Sequence, residues 1–338
     1  MVRPVIRDSS CVPRGKTQTN TRRYREELSQ PGRCSQYLIE MRIQENIPLA
    51  PLTTFRIGGN ARRYCAPQTT EEIREALAFA REHDIPWFAL GRGSNLLVAD
   101  EGFDGLVIHT HELNWVMWDA PGPGQGAVIR CGAGCATAVL ASQAAERGLA
   151  GLEFAGGLPG SIGGASAMNA RAYGGELAGV FVEAEIVSPG GEITRLERAN
   201  MRYAYKTSAL LQNGAIAAAV TLTLTPAKDS GDAERIRAET EENKNKRANM
   251  GQFRWPSAGC VFKNNYDIGI PSGRLIDDAG LKGLRAGGAM VFEGHANFIV
   301  NSGGARAADV RALIGEIKKI IYEKYGFMLE EEITYLGF

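Results

Sequence analysis

Gly91-Arg-Gly-Ser-Asn95 and Gly151-Leu-Glu-Phe-Ala-Gly-Gly-Leu-Pro-Gly-Ser-Ile-Gly-Gly-Ala165 are the two stretches that decide the fold of this chain. Each follows an apolar, strand-like segment, and glycine lets the backbone approach a large ligand closely. Consecutive N–H groups in a tight turn form a concavity that suits phosphate oxygens. Neither stretch matches the G-x-G-x-x-G or the P-loop pattern. One short glycine turn is typical of ordinary chain reversal, but two long ones favour a phosphate-bearing cofactor held by a different kind of fold.

The charge of the chain gives no reason to expect nucleic acid or a membrane surface as a partner. Its 338 residues carry 38 Lys and Arg against 38 Asp and Glu, so no net field attracts a polyanion. No apolar run is long enough to span a bilayer, and the first residues lack the apolar region of a signal peptide. We expect a cytoplasmic monomer of two or three domains that neither binds nucleic acid nor inserts into a membrane.

The cysteines predict reduced thiols and no metal site. None of the six belongs to a CxxC pair, and Cys131 and Cys135 have no histidine nearby. Residues 1–40 are Arg-rich and polar without a clear period, which predicts a disordered extension. Met41 precedes the first well-patterned segment, so we hypothesise that translation starts there, and N-terminal mass analysis would test this.

The rest of the chain predicts two α/β lobes and a smaller α+β lobe. In the first lobe a strand at 63–66 is followed by a capping box at 69–72, an apolar helix face and a strand at 85–90 that leads into Gly91. The second lobe has a strand at 127–130, an Ala-rich helix ending near 148, and strands at 182–187 and 215–224. Beyond a linker at 226–231, the Glu and Lys runs of the helix 233–248 are interpreted as a solvated face. An amphipathic helix at 307–325 and a strand at 332–336 close the chain.

Seven separated motifs resemble those of the UDP-N-acetylenolpyruvoylglucosamine reductase family (MurB), in the same order and over roughly residues 45–338. They are Thr53-Thr-Phe-Arg-Ile-Gly-Gly59, Gly91-Arg-Gly-Ser-Asn95, the segment 151–164, Met168-Asn-Ala-Arg-Ala-Tyr-Gly-Gly-Glu176, Pro256-Ser-Ala-Gly-Cys-Val-Phe-Lys-Asn264, Ala279-Gly-Leu-Lys-Gly283 and His295-Ala-Asn297. The short stretch between Phe262 and Leu275 is similar to the type II form, which lacks a long substrate-covering loop.

The resemblance implies a vanillyl-alcohol-oxidase-type (PCMH-like) FAD-binding domain in two α/β lobes, at about 41–110 and 111–226, with a C-terminal α+β substrate domain at 227–338. The residues implied around the FAD pyrophosphate are Gly91, Arg92, Gly93, Ser94 and Asn95. Those implied to border its isoalloxazine ring and ribityl chain are Gly157, Pro159, Gly160, Ser161 and Gly163. For Ser94 and Asn95, ordinary turn chemistry stays an alternative.

The activity implied by the family is NADPH-dependent reduction of UDP-N-acetylglucosamine enolpyruvate. The reduced flavin delivers hydride to the vinyl β-carbon, so negative charge collects on the α-carbon and its carboxylate. Catalysis therefore needs charge stabilisation there and a proton donor. Cys260 matches the family's proton donor, and a thiol with a pKa near ~8.5 is a far stronger acid than an alkyl hydroxyl. An inert buried thiol is the alternative.

Glu332 and Lys206 complete the implied catalytic set. Glu332 aligns with the family's C-terminal glutamate, with Glu330 and Glu331 as competitors and a merely solvated acidic run as the alternative. Lys206 departs from the family's usual arginine, and it offers a compact point charge instead of a planar fork. Arg171 is a second departure, at a position that is commonly glycine, and either the site rim or solvent could receive its side chain.

Six further residues are candidates for contacts with the substrate or NADPH, because lysines suit a diphosphate and tyrosine hydroxyls can bond to it. They are Tyr173, Tyr205, Lys263, Asn264, Lys282 and His295. His295 could equally be a packed residue, and His109 and His111 are interpreted as strand-end surface residues. A related flavoenzyme with another substrate and a catalytically silent flavin-binding protein remain alternative functions.

Overall fold

The computed structural model describes residues 42–119, 126–266 and 268–338. The predicted extension 1–40 and the hypothesised start at Met41 lie outside these residues. Along the described chain, no helix is long and apolar enough to cross a membrane.

The first lobe is a four-stranded sheet covered by one helix. Its elements are β1 (Gln44–Pro48), β2 (Asn60–Cys65), α1 (Thr70–Glu82), β3 (Trp87–Leu90), β4 (Leu96–Val98) and β5 (Phe103–His109). The strand order is β1-β2-β5-β3, with β1 antiparallel to β2 and with β5 parallel to both β2 and β3. The Thr69 side chain caps α1 by accepting from the N–H of Glu72, as the capping sequence predicts. The buried stripe of α1 is the predicted apolar face: Ile73, Ala76, Leu77 and Ala80.

The second lobe is an antiparallel sheet with short helices between its strands. Its elements are β6 (Val116–Trp118), β7 (Ala127–Gly132), α2 (Thr137–Glu146), β8 (Leu149–Ala150), α3 (Ile162–Ala167), β9 (Arg171–Ala172), β10 (Gly175–Glu176), β11 (Phe181–Val187), β12 (Ile193–Glu197), α4 (Ala209–Gln212) and β13 (Ile216–Pro226). The order is β12-β11-β13-β7-β6, with β8 added to β13. The predicted strands at 182–187 and 215–224 are confirmed as β11 and β13. Alternate residues of β7 and β13 fill the core of this lobe, including Ile129, Val220 and Leu222.

The remaining elements include a small antiparallel sheet backed by a long helix, α7 (Ala307–Tyr325). They are α5 (Ser230–Asn249), β14 (Ser257–Cys260), α6 (Ser272–Asp278), β15 (Arg285–Ala286), β16 (Ala289–Val291), β17 (Phe298–Asn301), α7 (Ala307–Tyr325) and β18 (Thr334–Leu336). The order is β14-β17-β16-β15. The amphipathic helix predicted at 307–325 is confirmed as α7. Its buried stripe has every member at most 3% exposed: Val310, Leu313, Ile314, Ile317 and Ile321. Each of these side chains contributes about 1.5–3 kcal/mol by leaving water.

The last strand of the chain returns to the first lobe. β18 pairs in parallel with β4, which directly follows the first glycine stretch, and Thr334 lies opposite Leu96. The N–H of Thr334 also donates to the carbonyl of Asn95 at 2.9 Å. The C-terminal segment is therefore fixed beside the glycine turn at 91–95.

One face of α5 is buried although it is mostly polar. The Glu and Lys runs are exposed as predicted, but Ile236, Thr240, Asn243 and Arg247 form a stripe at most 6% exposed. The Asn243 side chain donates to the carbonyl of Glu153 at 3.0 Å, so hydrogen bonds hold this helix against the second glycine stretch. A hydrophobicity pattern cannot reveal such a stripe, because polar residues form it.

Candidate active site

The two glycine stretches face each other in the structure. A Cβ added to Gly91 would lie 2.5 Å from the Ser161 hydroxyl oxygen, and one added to Gly160 would lie 2.9 Å from that of Ser94. The Ser94 hydroxyl also reaches the carbonyl of Pro159 at 3.5 Å. Glycine leaves room for this close approach, and Gly160 has a φ of +120°, which other residues rarely adopt.

This cradle fits a dinucleotide cofactor such as FAD. Within the described chain, the N–H groups of Arg92, Gly93 and Ser94 donate to no other backbone group. They remain available to pyrophosphate oxygens, and Gly93 holds a left-handed φ of +59°, so the turn has the form of an anion-binding concavity. Side-chain-free positions on both facing loops leave room for a flat ring system.

Two of the predicted cofactor residues also have a packing role. A Cβ on Gly163 would lie 2.8 Å from the Cβ of Ala133, and one on Gly157 would lie 3.2 Å from the Cα of Lys244 in α5. These glycines therefore bring the second stretch against its neighbours. Their contact with FAD stays a prediction.

His109, which sequence reasoning placed on the surface, is buried beneath the first glycine turn. It is 6% exposed, and its Nδ1 lies 2.8 Å from the Tyr64 hydroxyl. Burial lowers the pKa of His109 to about 4, while a hydrogen bond to the Gly91 backbone opposes this shift. The surface interpretation of His109 is wrong, because a tyrosine 45 positions earlier in the chain provides its partner.

The bulge in β14 determines where the Cys260 thiol lies. Ser257 pairs with Val300 and Cys260 with Phe298, so β14 has one more residue than its partner over this interval. Gly259 within the bulge has a φ of +77°. Bulges near active sites redirect a side chain in this way. Asn297 fixes the backbone of Phe262, two residues after Cys260. Its side chain accepts from the N–H of Phe262 at 2.9 Å and donates to the Phe262 carbonyl at 2.8 Å.

Glu332 and Lys206 form a buried ion pair. Their Oε1 and Nζ atoms are 2.5 Å apart, and the side chains are 11% and 17% exposed. The N–H of Glu332 donates to the Val261 carbonyl at 2.7 Å, and the Asn95 side chain donates to the Glu332 carbonyl at 3.0 Å. Glu332 is thus fixed between the Cys260 bulge and the first glycine turn.

The adjacent glutamates point elsewhere. Glu331 is paired with Lys318 at 2.7 Å and with the Tyr335 hydroxyl, whereas Glu330 is paired with Lys263. Successive side chains of an extended segment alternate between its two faces, which turns Glu331 away from Glu332, while Lys263 engages Glu330. Of the three competing glutamates, the structure therefore places Glu332 beside Lys206.

Lys206 lies in a tight turn that holds it in an unusual backbone conformation. Ala204 and Thr207 pair across the turn, and Lys206 has a φ of +60°. Left-handed backbone at a residue other than glycine costs about 1–2 kcal/mol, and such strain is concentrated at functional sites.

Burial, more than the neighbouring charges, keeps the Cys260 thiol protonated. Burial raises the pKa of Cys260 to about 12, and the Glu332 carboxylate adds to the rise, while Lys206 and Arg247 oppose it. Burial also raises the pKa of Glu332, opposed by Lys206 and then by Lys263. The site thus combines a neutral thiol, a carboxyl whose ionised form is disfavoured by burial, and the two cations Lys206 and Arg247.

Arg247 is a site residue that sequence reasoning missed. It is 6% exposed, and its Nε donates to the Gly156 carbonyl at 3.0 Å and its Nη2 to that of Phe154 at 3.4 Å. Its guanidinium lies 4.9 Å from the Tyr173 ring centroid. Burial lowers the pKa of Arg247, with Tyr173 and Cys260 acting in the opposite direction.

The six candidate substrate residues divide into two groups. Tyr205, Lys263 and Asn264 adjoin the ion pair, since the Tyr205 hydroxyl accepts from the N–H of Asn264 at 3.1 Å; Tyr173 lies against Arg247 at the rim. Lys282 is paired with Asp277 at 2.8 Å. His295 packs on Phe298 with ring centroids 4.6 Å apart, as its alternative interpretation requires.

The glycine cradle, the adjoining thiol and the two-lobed α/β architecture define an FAD-dependent oxidoreductase with a C-terminal α+β domain. Residues 61–197 match the sequence model described as FAD binding domain, and residues 251–336 match that of the C-terminal domain of UDP-N-acetylenolpyruvoylglucosamine reductase. The chain belongs to the UDP-N-acetylenolpyruvoylglucosamine reductase family, so the predicted resemblance and fold class are confirmed.

Relatives match most of the chain. The reductase of Synechococcus sp. (strain JA-3-3Ab) is 41% identical over 91% of this chain and 95% of its own length. That of Caldicellulosiruptor bescii is 40% identical over 86% and 89%, respectively. The crystal structure of UDP-N-acetylenolpyruvylglucosamine reductase (MurB) from Thermus caldophilus superposes with a TM-score of 0.71 at 36% identity, covering 88% of this chain and 99% of that one.

Proposed function

We propose that this chain reduces UDP-N-acetylglucosamine enolpyruvate to UDP-N-acetylmuramate with NADPH, a step in the synthesis of peptidoglycan precursors. The observation that carries the proposal is the buried Lys206–Glu332 pair beside the protonated thiol of Cys260. FAD, when bound between the two glycine stretches, supplies the chemistry of accepting a hydride from NADPH and passing it to the β-carbon of the enolpyruvyl group.

Lys206 provides the positive charge that this reaction requires. Hydride addition leaves negative charge on the α-carbon and its carboxylate, and a fixed cation in a partly dry site stabilises that charge strongly. The tight turn of Lys206 and its contact with Glu332 hold the ammonium before substrate binds. Lysine acts here as a point charge, with less control of carboxylate orientation than an arginine fork would give.

Glu332 is suited to donate a hydrogen bond to the enolate. When Lys206 turns to the substrate carboxylate, Glu332 loses part of the cation that favours its ionised form. Burial, the main cause of its raised pKa, then favours the protonated carboxyl. That proton can be shared with the enolate oxygen.

Cys260 is the proton donor in this proposal. Because burial raises its pKa to about 12, the thiol carries its proton at neutral pH and can deliver it to the α-carbon. Lys206 and Arg247 both lower the pKa of Cys260, so they stabilise the thiolate that remains. Bulk water then returns the proton.

The remaining contacts of the substrate follow from charge and position. We assign Tyr173, Tyr205, Lys263 and Asn264 to the sugar nucleotide, because they surround the mouth of the site. Lys282 and His295 both lie near α6: Lys282 pairs with Asp277, and His295 lies 3.2 Å from a Cβ added to Gly273. We assign both to outer contacts with substrate or NADPH.

Anaerobic stopped-flow absorbance of the FAD-loaded protein tests the proposal. NADPH is expected to bleach the visible flavin band, and the enolpyruvyl sugar nucleotide is expected to restore it with formation of UDP-N-acetylmuramate. In D₂O the product should carry deuterium at the α-carbon, since the thiol exchanges with solvent. Bleaching without recovery would mean that this family member acts on another substrate. Cys260→Ala serves as the control, bleaching normally but forming no product.

Four finer points belong to the same proposal. They are a preference for NADPH over NADH, a monomeric state, a cytoplasmic location and a domain boundary near residue 226. The location follows from the substrates, because nucleotide sugars and NADPH occur in the cytoplasm. Rates of flavin bleaching with each nicotinamide, light scattering of the holoprotein, cell fractionation and limited proteolysis test them in turn.

A further inference from the structure

A further cation, in addition to Lys206 and Arg247, lies at the mouth of the site against two aromatic rings. The Arg171 guanidinium carbon is 5.6 Å from the ring centroid of Tyr205 and 5.9 Å from that of Tyr266. The two rings meet edge to face, with centroids 5.1 Å apart and planes at 75°. Arginine stacks on aromatic faces through its planar, delocalised charge.

This cluster adjoins the reaction centre. Tyr205 precedes Lys206 in the same tight turn, and the Lys206 ammonium lies 5.8 Å from the Tyr205 ring centroid. The Tyr205 hydroxyl binds the N–H of Asn264, the residue after Lys263. One tyrosine ring therefore separates Arg171 from the Lys206–Glu332 pair.

The guanidinium is exposed and forms no ion pair with any carboxylate that the structure describes. Its cross-strand neighbour in the β9–β10 hairpin is Glu176, but that carboxylate accepts instead from the side chain of Asn169 at 3.3 Å. The tyrosines fix the plane of Arg171 and leave its N–H donors to an incoming anion.

We propose that Arg171 binds the diphosphate of the sugar nucleotide and so raises the affinity for substrate. The inference rests on the proposed function. In that substrate, one hexose ring carries both the enolpyruvyl group and the diphosphate, so an anion must lie one sugar ring from the reacting carbon. Arg171 lies one tyrosine ring from the residues that act on that carbon, and a guanidinium binds phosphate oxygens bidentately.

The competing role for Arg171 is purely structural, as a support for the two tyrosine rings. The two roles predict different effects on the binding of UDP and of uridine. Loss of a phosphate contact weakens binding of UDP but not of uridine, whereas disordered tyrosines weaken binding of both.

Isothermal titration calorimetry of the FAD-loaded protein with UDP and with uridine separates these roles. Arg171→Gln is expected to raise the Kd of UDP about ten-fold, equivalent to about 1.4 kcal/mol, without changing the Kd of uridine. Arg171→Lys should recover part of the loss. Arg195→Gln is the matched control, because Arg195 is also an exposed strand arginine, 71% exposed and 3.5 Å from Glu183, and it should leave both values unchanged.

Turnover provides the second measurement. Arg171→Gln should raise KM for the enolpyruvyl substrate about ten-fold at nearly constant kcat, because the diphosphate contact is made equally before and during hydride transfer. An unchanged Kd for UDP, or an equal loss for uridine, would overturn the inference while wild-type turnover still stood. Wild-type protein that binds UDP but forms no product would instead refute the proposed function.

Discussion

Replacing Lys206 by methionine tests the ion pair most directly. The substitution keeps an unbranched side chain one atom shorter and removes its charge, which leaves Glu332 as a buried carboxylate without its main cation. Removing one partner of a buried pair costs about 3–5 kcal/mol, and the residual exposure of 11% and 17% favours the lower end. We therefore expect a loss of about 3 kcal/mol in the free energy of unfolding.

The stability loss of Lys206→Met should depend on pH, and whether it grows or shrinks as the pH rises follows from the titration of Glu332. Burial raises the pKa of the Glu332 carboxyl in the folded state, so the ionised form opposes folding as pH rises through that pKa. Without Lys206 this opposition is stronger. The variant should be weakened more at pH 8 than at pH 5, because the carboxyl takes up a proton as the pH falls through its raised pKa.

Urea denaturation of the FAD-loaded protein, followed by circular dichroism at both pH values, measures the effect. With an m-value of about 3 kcal/mol per M, the midpoint at pH 8 should fall by about 1 M. Adding Glu332→Gln should restore most of it. Lys319→Met removes a lysine that is 73% exposed and 3.9 Å from Glu323, and should leave the midpoint unchanged. A midpoint shift that is equal at pH 5 and pH 8, or that persists with Glu332→Gln, would refute the reasoning.

Three further predictions concern the thiol, the missed arginine and the cradle. Cys260→Ser should keep measurable activity with kcat at least ten-fold lower. Since burial raises the pKa of Cys260 to about 12, the pH–rate profile of the wild-type enzyme should show no fall due to thiol ionisation below about pH 10. A fall near pH 8 would contradict this. Arg247→Met removes two hydrogen bonds to carbonyls and should cost about 2–3 kcal/mol, seen as a lower urea midpoint, with Arg237→Met on the exposed side of α5 as the control. Gly160→Ala adds a Cβ 2.9 Å from the Ser94 hydroxyl oxygen at a φ of +120°, so FAD should bind the apoprotein at least ten-fold more weakly in a fluorescence titration; unchanged affinity would remove this residue from the cradle.

The parts of the fold that sequence predicts are those with a local signal. The stripes of α1 and α7 repeat at helical spacing within one segment, so their burial could be inferred without a partner. The polar stripe of α5 has no such signal, because Asn243 and Arg247 are buried against carbonyls about 90 residues away. His109 was misplaced for the same reason, since its partner Tyr64 lies on another strand.

By itself, the sequence determined the chemistry that is available: two glycine stretches that admit a cofactor, a cysteine after a glycine, and an acidic run near the end of the chain. Tertiary structure alone decided which glutamate meets Lys206, because Glu330, Glu331 and Glu332 are chemically identical. Their directions are set by backbone contacts with the distant segment 261–263 and with Asn95. It also decided that two arginines lie at the site. Arg247 extends from α5 and is buried there, and Arg171 lies against two tyrosine rings. Local spacing fixes which residues share a face, whereas contacts between distant segments depend on how those faces pack.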